Sequence, residues 1–294
     1  MERNTPLVTV GLPMYNPGRF LDLAVRSVFA QTYDNWELIV VDDGSTDGSL
    51  DQVRRISDPR VKVFSDGQNR GLPYRLNQII ELASGVFIAR MDADDGMHPK
   101  RLAEQVAFLM AHPDVDGVTS GAVLLDAEDN PTGLLPGIAP SVVEILSRGG
   151  YLHPSLVVRR KWALKYGYSE EYPRAEDREL FVRTYMVSKI AVLDSYLYFY
   201  RWFGLPRTHA LIAGYQSERR IIKVYGPKLV GWSTTLRLLL RSYLKEQATK
   251  IGGLLGKDRF LRRRAFRELT LEEKQWAESA LSLIKATRVP GWDE

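Results

Sequence analysis

Asp92, Asp94 and Asp95 put three carboxylates into four positions, directly after the apolar run Val86–Ala89. Like charges this close repel one another, so such a cluster persists where a cation or a set of donors neutralises it. Hard carboxylate oxygens suit Mg²⁺ or Mn²⁺. With only one or two protein carboxylates bound, the remaining coordination falls to water and substrate phosphate. The chemistry indicated is diphosphate binding through a divalent cation. On these residues alone, an acidic loop in front of the helix that Pro99 opens is an equal reading.

A second acidic pair, Asp42-Asp43, ends the apolar run Leu38–Val41 and is followed by Gly44, Ser45, Thr46 and Asp47. Ser, Thr and Asp cap helix N-termini, so a plain strand–turn–helix junction accounts for the last three but not for Asp42 and Asp43. A carboxylate here can accept the ring N–H of uracil, thymine or guanine; adenine offers no such group. Tyr15, in Pro13-Met14-Tyr15-Asn16, can stack on a base or pack in the core. In Arg174-Ala-Glu176-Asp177-Arg178-Glu179, a carboxylate flanked by arginines can act as a base, or the run can be a solvated helix face.

Elements that alternate β-branched runs with helical patterns must hold these residues. Strands are expected at Val8–Leu12, Glu37–Val41, Val61–Phe64 and Val86–Met91, and helices at about Arg19–Gln31, Thr46–Ile56, Pro73–Ala83 and Pro99–Ala111. This is an α/β nucleotide-binding pattern with a largely parallel sheet, and ligands of such sheets lie at the strand ends. A further strand is expected near Val115–Ser120, a Pro- and Gly-rich loop over Asp126–Gly150, a short strand at Ser155–Val158 and a helix from near Glu176. Beyond Arg201 the pattern is helical. Thr270-Leu-Glu-Glu273 forms a capping box ahead of Trp276, Ala280, Leu283 and Ile284.

The 294 residues contain no cysteine, which excludes disulfides, thiolate nucleophiles and Cys-based zinc sites. A cytoplasmic address is the expectation, because the first residues lack a secretory h-region and Arg237 and Arg241 interrupt the longest apolar stretch. The formal charge of +4 hides an asymmetry: residues 1–200 carry 21 Lys/Arg against 27 Asp/Glu, and residues 201–294 carry 19 against 9.

From Val8 to about Arg201 the sequence resembles the bacterial family-2 glycosyltransferases, inverting enzymes of the GT-A fold that build cell-surface polysaccharides. The matching residues run in order: Pro13-x-Tyr15-Asn16, Ser27-x-x-x-Gln31-Thr32-Tyr33, Val41–Asp47, Asn69-x-Gly71-Leu72, Leu76-Asn77, Ala89–Asp95, Pro99, Arg101-Leu102 and Gln105. His153-Pro154-Ser155, Gly167-Tyr168, Ala175-Glu176-Asp177, Leu180 and Tyr200-Arg201 follow. The resemblance implies a GT-A catalytic domain over residues 1–200, its nucleotide-sugar half about 1–125 and its acceptor half about 126–200, and a basic amphipathic helical region over 201–294.

It also implies roles. Asp43 would hold the base, with Pro13, Tyr15 and Asn16 beside it. Arg90, Met91 and Asp92 would contact the donor, and Asp94 would bind Mn²⁺ or Mg²⁺ on the diphosphate. Asp177 would be the catalytic base, and His153, Glu176 and Arg178 are candidates for the acceptor side. The donor implied is a nucleoside-diphosphate sugar, with uridine the expected nucleoside, and the acceptor a saccharide, commonly on a polyprenyl diphosphate. The chain departs from the family where Arg178-Glu179-Leu180-Phe181 replaces an aromatic run and where Gly149–Leu152 lacks an Asn; both departures bear on the acceptor. A non-catalytic nucleotide-binding relative and a sugar nucleotidyltransferase are the alternatives. The chain shows no Gly-rich phosphate loop near the first strand of the kind the second would need, and no nucleic-acid module is recognisable.

The tail mixes Trp232, Leu238–Leu240, Phe260, Leu261 and Phe266 with Arg262-Arg263-Arg264. Such a mixture suits peripheral docking on the inner face of a membrane; core packing or dimerisation is the competing reading.

Overall fold

Two runs without polar alternation, Val8–Met14 and Trp36–Asp42, form β1 and β2, and both are buried along their whole length. Strands covered on both faces have no solvent side to which polar residues could alternate. A computed structural model gives the protein's structure and describes residues 5–172, 174–202, 208–254 and 266–293. With β3 (Val61–Ser65) and β4 (Phe87–Arg90), these strands make a parallel half in the order β3-β2-β1-β4. Its crossovers carry α1 (Leu21–Phe29), α2 (Ser49–Arg54) and α3 (Leu72–Leu82). α2 starts later than Thr46, because the Thr46 N–H is taken by Asn16 Oδ1 and Asp47 Oδ1 accepts from the Ser49 N–H.

The sheet continues β4-β8-β6-β9-β5, giving nine strands among the described residues. This half comprises β5 (Gly96–Met97), α4 (Arg101–Ala111), β6 (Gly117–Leu125), β7 (Pro131–Leu135), α5 (Val142–Ser147), β8 (Val157–Arg159), α6 (Arg160–Tyr166), α7 (Glu176–Thr184) and β9 (Ile190–Arg201). β8 runs antiparallel to β4 and β6, and β9 runs parallel to β6.

Two expectations need correction here, and one strand went unread. The stretch Asp126–Gly150 is no simple loop, because it contains β7 and α5, the latter opened by a Ser141–Glu144 capping box. The strand expected at Ser155–Val158 begins at Val157, since His153–Ser155 forms a 3₁₀ turn. β9 was unassigned from the pattern, although its run Ile-Ala-Val-Leu…Tyr-Leu-Tyr-Phe-Tyr is rich in β-forming residues.

The C-terminal region is helical, with α8 (Thr208–Leu254) and α9 (Leu271–Ala286). α8 breaks at Gly231 (φ 76°, ψ 163°) and turns back on itself, pairing Arg219 with Glu246 across the two arms. The arms touch closely: a Cβ on Gly226 would meet Thr235 Oγ1 at 2.8 Å. α9 has the expected Thr270–Glu273 box, but its inward face is Ala277, Ala280, Leu281 and Ile284. Leu283 is exposed and Trp276 lies at the edge, stacked on His98 at 4.9 Å. After α9 the chain returns to the parallel half, where Trp292 Nε1 donates to Asp22 at 2.9 Å and Arg26 donates to the Thr287 carbonyl at 2.7 Å. Arg262-Arg263-Arg264, Phe260 and Leu261 lie outside the described residues. Among the described residues no helix is long and apolar enough to cross a membrane.

Candidate active site

The parallel half ends its strands on one edge. The register pairs Met14 with Asp42 and Gly11 with Arg90, so Tyr15, Asp43 and Asp92 follow three adjacent strand ends. Tyr15 is 55% exposed, which rules out plain core packing. Asn16 adopts φ 48°; its Oδ1 accepts from the Thr46 N–H at 2.7 Å and its N–H donates to Ser45 Oγ at 3.0 Å. It fastens the end of β1 to the turn after β2.

The two acids of that turn do different work. Asp42 is wholly buried and accepts from Gly44 N, Ser45 N and Ser65 Oγ, so it is a turn-former, contrary to the expectation that local capping leaves it unexplained. Asp43 accepts from Arg70 N at 2.7 Å, from Gly71 N at 3.0 Å and from Arg75 Nε at 2.8 Å. Arg75 is fully buried and also reaches Asp66 and Gln78. Asp43 thus draws the Asn69-x-Gly71 loop onto the strand end. The Gly71 N–H is shared between the two oxygens, at 3.0 Å from Oδ2 and 3.2 Å from Oδ1, and the other two bonds fall on Oδ1, leaving acceptor capacity on Oδ2.

Beyond β4, Met91 points into the core beneath Ser27, so as a candidate donor contact it offers only its backbone. Asp92, Asp94 and Asp95 bring ligand oxygens within 4.8 Å of one another. Burial first, then Asp92, pushes Asp94 up to about 6. Burial, Asp94 and Asp92 push the enclosed Asp95 well above the carboxylate range. Asp95 Oδ2 has no hydrogen-bond partner. A crowded carboxylate set with an orphaned buried oxygen is a site that a hard divalent cation fits. Sequence reading assigned only Asp94 to metal; Asp95 was legible in the same cluster.

Several elements hold this loop. Met97 N donates to Ser27 Oγ, and Gln31 bridges the His98 carbonyl and the Leu102 N–H, which gives the Ser27…Gln31 pattern a bracing role. Arg101, fully buried, donates to the carbonyls of Arg90 and Pro154 at 2.9 and 3.2 Å. Tyr198 on β9 accepts from Asp92 N at 3.1 Å. Arg90 grips both oxygens of Asp92, at 2.8 and 2.6 Å, and leaves its own Nε without a partner. Burial works against the Arg90 charge, but Asp92, Tyr198, Tyr168 and Glu176 around it hold it protonated.

An open cleft of about 640 Å³ adjoins this edge and is lined by Arg90, Asp92, His153, Arg174, Glu176 and Asp177, among others. That size suits a small-molecule ligand. Glu176 and Asp177 open α7, and Asp177 Oδ1 accepts from the Arg178 N–H at 2.7 Å. Burial, then Asp177, pushes Glu176 up to about 7. His153 is buried, sits 2.8 Å from Tyr168 Oη through Nε2, and is held well below its ordinary pKa by burial and Arg90. It is a neutral imidazole that shapes the cleft. Arg178 turns away and pairs with Glu218 on α8 at 3.1 Å, outside the cleft lining. Sequence reading quoted Tyr168 and Arg201 among the matching residues without giving them a role, and passed over Tyr198.

Residues 9–134 match the model of the family described as glycosyl transferase family 2. A putative glycosyltransferase of Bacillus subtilis, EpsE, is 35% identical over 187 residues, covering 60% of this chain and 66% of that one. WfgD of Escherichia coli, named a UDP-Glc:alpha-D-GlcNAc-diphosphoundecaprenol beta-1,3-glucosyltransferase, is 36% identical over 35% of this chain and 41% of its own. The chain thus spans two thirds or less of the length of these relatives. Among solved structures, Staphylococcus aureus TarS with UDP-GlcNAc superposes with a TM-score of 0.62 at 20% identity, over 96% of this chain and 81% of that one. The mannosyltransferase PcManGT of Pyrobaculum calidifontis, with GDP-Man and Mn²⁺, gives 0.60 at 19% identity, over 99% and 89%. At such identities these structures speak for the fold, the mixed α/β sheet of GT-A glycosyltransferases.

Proposed function

From the premise that this chain belongs to glycosyl transferase family 2 through residues 9–134, we propose that it is an inverting glycosyltransferase. It would use a nucleoside-diphosphate sugar, most simply a UDP-sugar, and an acceptor hydroxyl on a lipid-linked saccharide. The observation that carries this is one cleft lined by both Asp92, on the strand-end carboxylate cluster, and Asp177, on a facing helix. UDP-GlcNAc in TarS and the diphosphoundecaprenol in the name of WfgD support the donor and acceptor classes.

In this reading residues 1–200 are the catalytic unit. Tyr15 stacks on the base and Asp43 Oδ2 accepts its ring N–H. Arg90 fixes Asp92 toward the ribose. Asp94 and Asp95 hold Mn²⁺ or Mg²⁺, which when bound supplies charge neutralisation to the departing diphosphate; Mn²⁺ with GDP-Man in PcManGT supports that assignment. Asp177 takes the proton from the acceptor hydroxyl. As that oxygen bonds to the anomeric carbon, the carbon–oxygen bond to the diphosphate breaks, and the leaving group departs with the electron pair. One such displacement inverts the anomeric centre. The acceptor sits at the cytoplasmic face of a membrane, against which we place the basic C-terminal region.

The test is a thermal-shift panel of UDP, GDP, dTDP, CMP and ADP, each with Mn²⁺ or EDTA, on wild type and Asp94→Ala. Ligand at about 100 times its Kd adds roughly 2.7 kcal/mol. A shift for one diphosphate that requires both Mn²⁺ and Asp94 is expected. No shift with any nucleotide in folded protein would favour a non-catalytic relative.

A further inference from the structure

The second arm of α8, residues 232–251, is built to be covered on two sides. Its inward face carries Thr235, Leu238, Ser242, Glu246 and Thr249, all buried. At about 100° per residue, the line opposite that face falls on Leu240, Leu244 and Ile251. These are 59%, 57% and 58% exposed, and Trp232, Leu236 and Tyr243 widen the same stripe. A surface helix ordinarily carries polar groups on that line.

Charge identifies what covers it. The acids within residues 208–254 are Glu218 and Glu246, both buried and engaged by Arg178, Arg219 and Lys250. Arg237 and Arg241, each one position after a leucine of the stripe, are exposed and form no ion pair among the described residues. A second copy packed through this face would bring the same unpaired arginines and, from α8, no exposed acid to meet them. An anionic lipid surface neutralises them while accepting the leucines and tryptophan.

We propose that this face of α8 docks on a bilayer containing anionic lipid. The docked arm is fastened to the rim of the cleft: Lys245 Nζ donates to the Ser147 carbonyl at 3.1 Å, and the next residue, Arg148, lines the cleft. Docking therefore holds the acceptor side of the cleft close to the headgroups. That orientation rests on the glycosyltransferase reading of the cleft, whereas lipid binding does not.

The experiment is flotation of the full chain with vesicles of phosphatidylcholine alone or mixed with phosphatidylglycerol, at about 0.1 and about 1 M salt. Wild type is expected to float with the anionic vesicles at low salt. Leu240→Glu with Leu244→Glu is expected to cut the floated fraction at least about fivefold while leaving the UDP thermal shift unchanged. Wild type that stays unbound, or a double variant that floats equally, overturns the proposal. So does a sedimentation-velocity dimer that the double substitution dissolves, which assigns the face to a second copy. Because nucleotide binding is read in the same preparations, loss of the UDP shift in wild type counts against the reading of the cleft and not against docking.

Discussion

Arg201 closes the carboxylate loop onto the end of β9: its backbone N–H donates to Asp95 Oδ1 at 2.7 Å, and its Nε donates to the carbonyl of Asp94 at 2.8 Å. Its remaining guanidinium nitrogens hold the Asp126 carbonyl and Asp129, and the group lies 4.4 Å from the Phe20 ring centroid. One buried side chain thereby couples the end of β9, the acidic loop and the turn before β7.

Replacing it tests that coupling. Arg201→Lys keeps the backbone bond and the charge but removes the planar fork, and lysine does not reproduce such a site. Cation-dependent UDP affinity is expected to fall about tenfold, with a modest loss of thermal stability. Isothermal titration in Mn²⁺ and in EDTA reads the affinity and a thermal melt reads the stability; affinity equal to wild type would mean that the acidic loop holds its shape without this brace.

Arg75 and Asp43 form a buried pair, so breaking it strands a charge. Arg75→Met is expected to cost about 3–5 kcal/mol, read from urea unfolding. Asp43→Asn on top of it should restore part of that loss, because the stranded charge is gone. A double variant as unstable as the sum of the two single variants would show that the pair is not coupled.

How much of this was legible follows from what each residue answers to. The strand-end acids could be read because three like charges side by side call for a neutralising partner, although an acidic loop read equally well on those residues alone, and the parallel half because its strands are short, largely apolar runs separated by helical patterns. Arg75 lies on the inward side of α3 with Leu76, Ile79 and Ile80, a polar position in an apolar stripe that was a readable signal and passed unread. β9 was missed because its partners are remote in sequence: it pairs with β6 and β5, and no short-range periodicity announces that register. Arg178 looked like a site residue beside Asp177, yet on a helix consecutive side chains diverge by about 100°, and its side chain goes to Glu218.

Glu176 gives a pH signature whose sign is fixed by the direction of its shift. Its folded value lies near 7, above the ordinary 4.5, through burial and then Asp177. Between those values the native state binds more protons than the unfolded chain. Its contribution is therefore favourable at low pH and is lost as pH rises through about 7. The span corresponds to roughly 3 kcal/mol. Glu176→Gln removes that slope, so its urea midpoint should match wild type near pH 4.5 and exceed it at pH 8. Parallel pH profiles for the two proteins would count against the assignment.

Asp177 and Asp94 are expected to fail in different ways, and the difference separates a base from a donor-binding ligand. Asp177→Asn keeps size and the acceptor for the Arg178 N–H, but cannot take a proton. It should lower kcat by about 10²–10⁴ while leaving the Mn²⁺-dependent UDP shift in place, since only proton transfer in the transition state is lost. Asp94→Asn should abolish the Mn²⁺ dependence of UDP binding. Turnover is measured with a UDP-sugar and a lipid-linked saccharide acceptor, and donor binding by thermal shift on the same samples. Wild-type kcat in Asp177→Asn would overturn the assignment of the base; Glu176, the neighbouring carboxyl that also lines the cleft, would be tested next, with Glu176→Gln then carrying the catalytic loss.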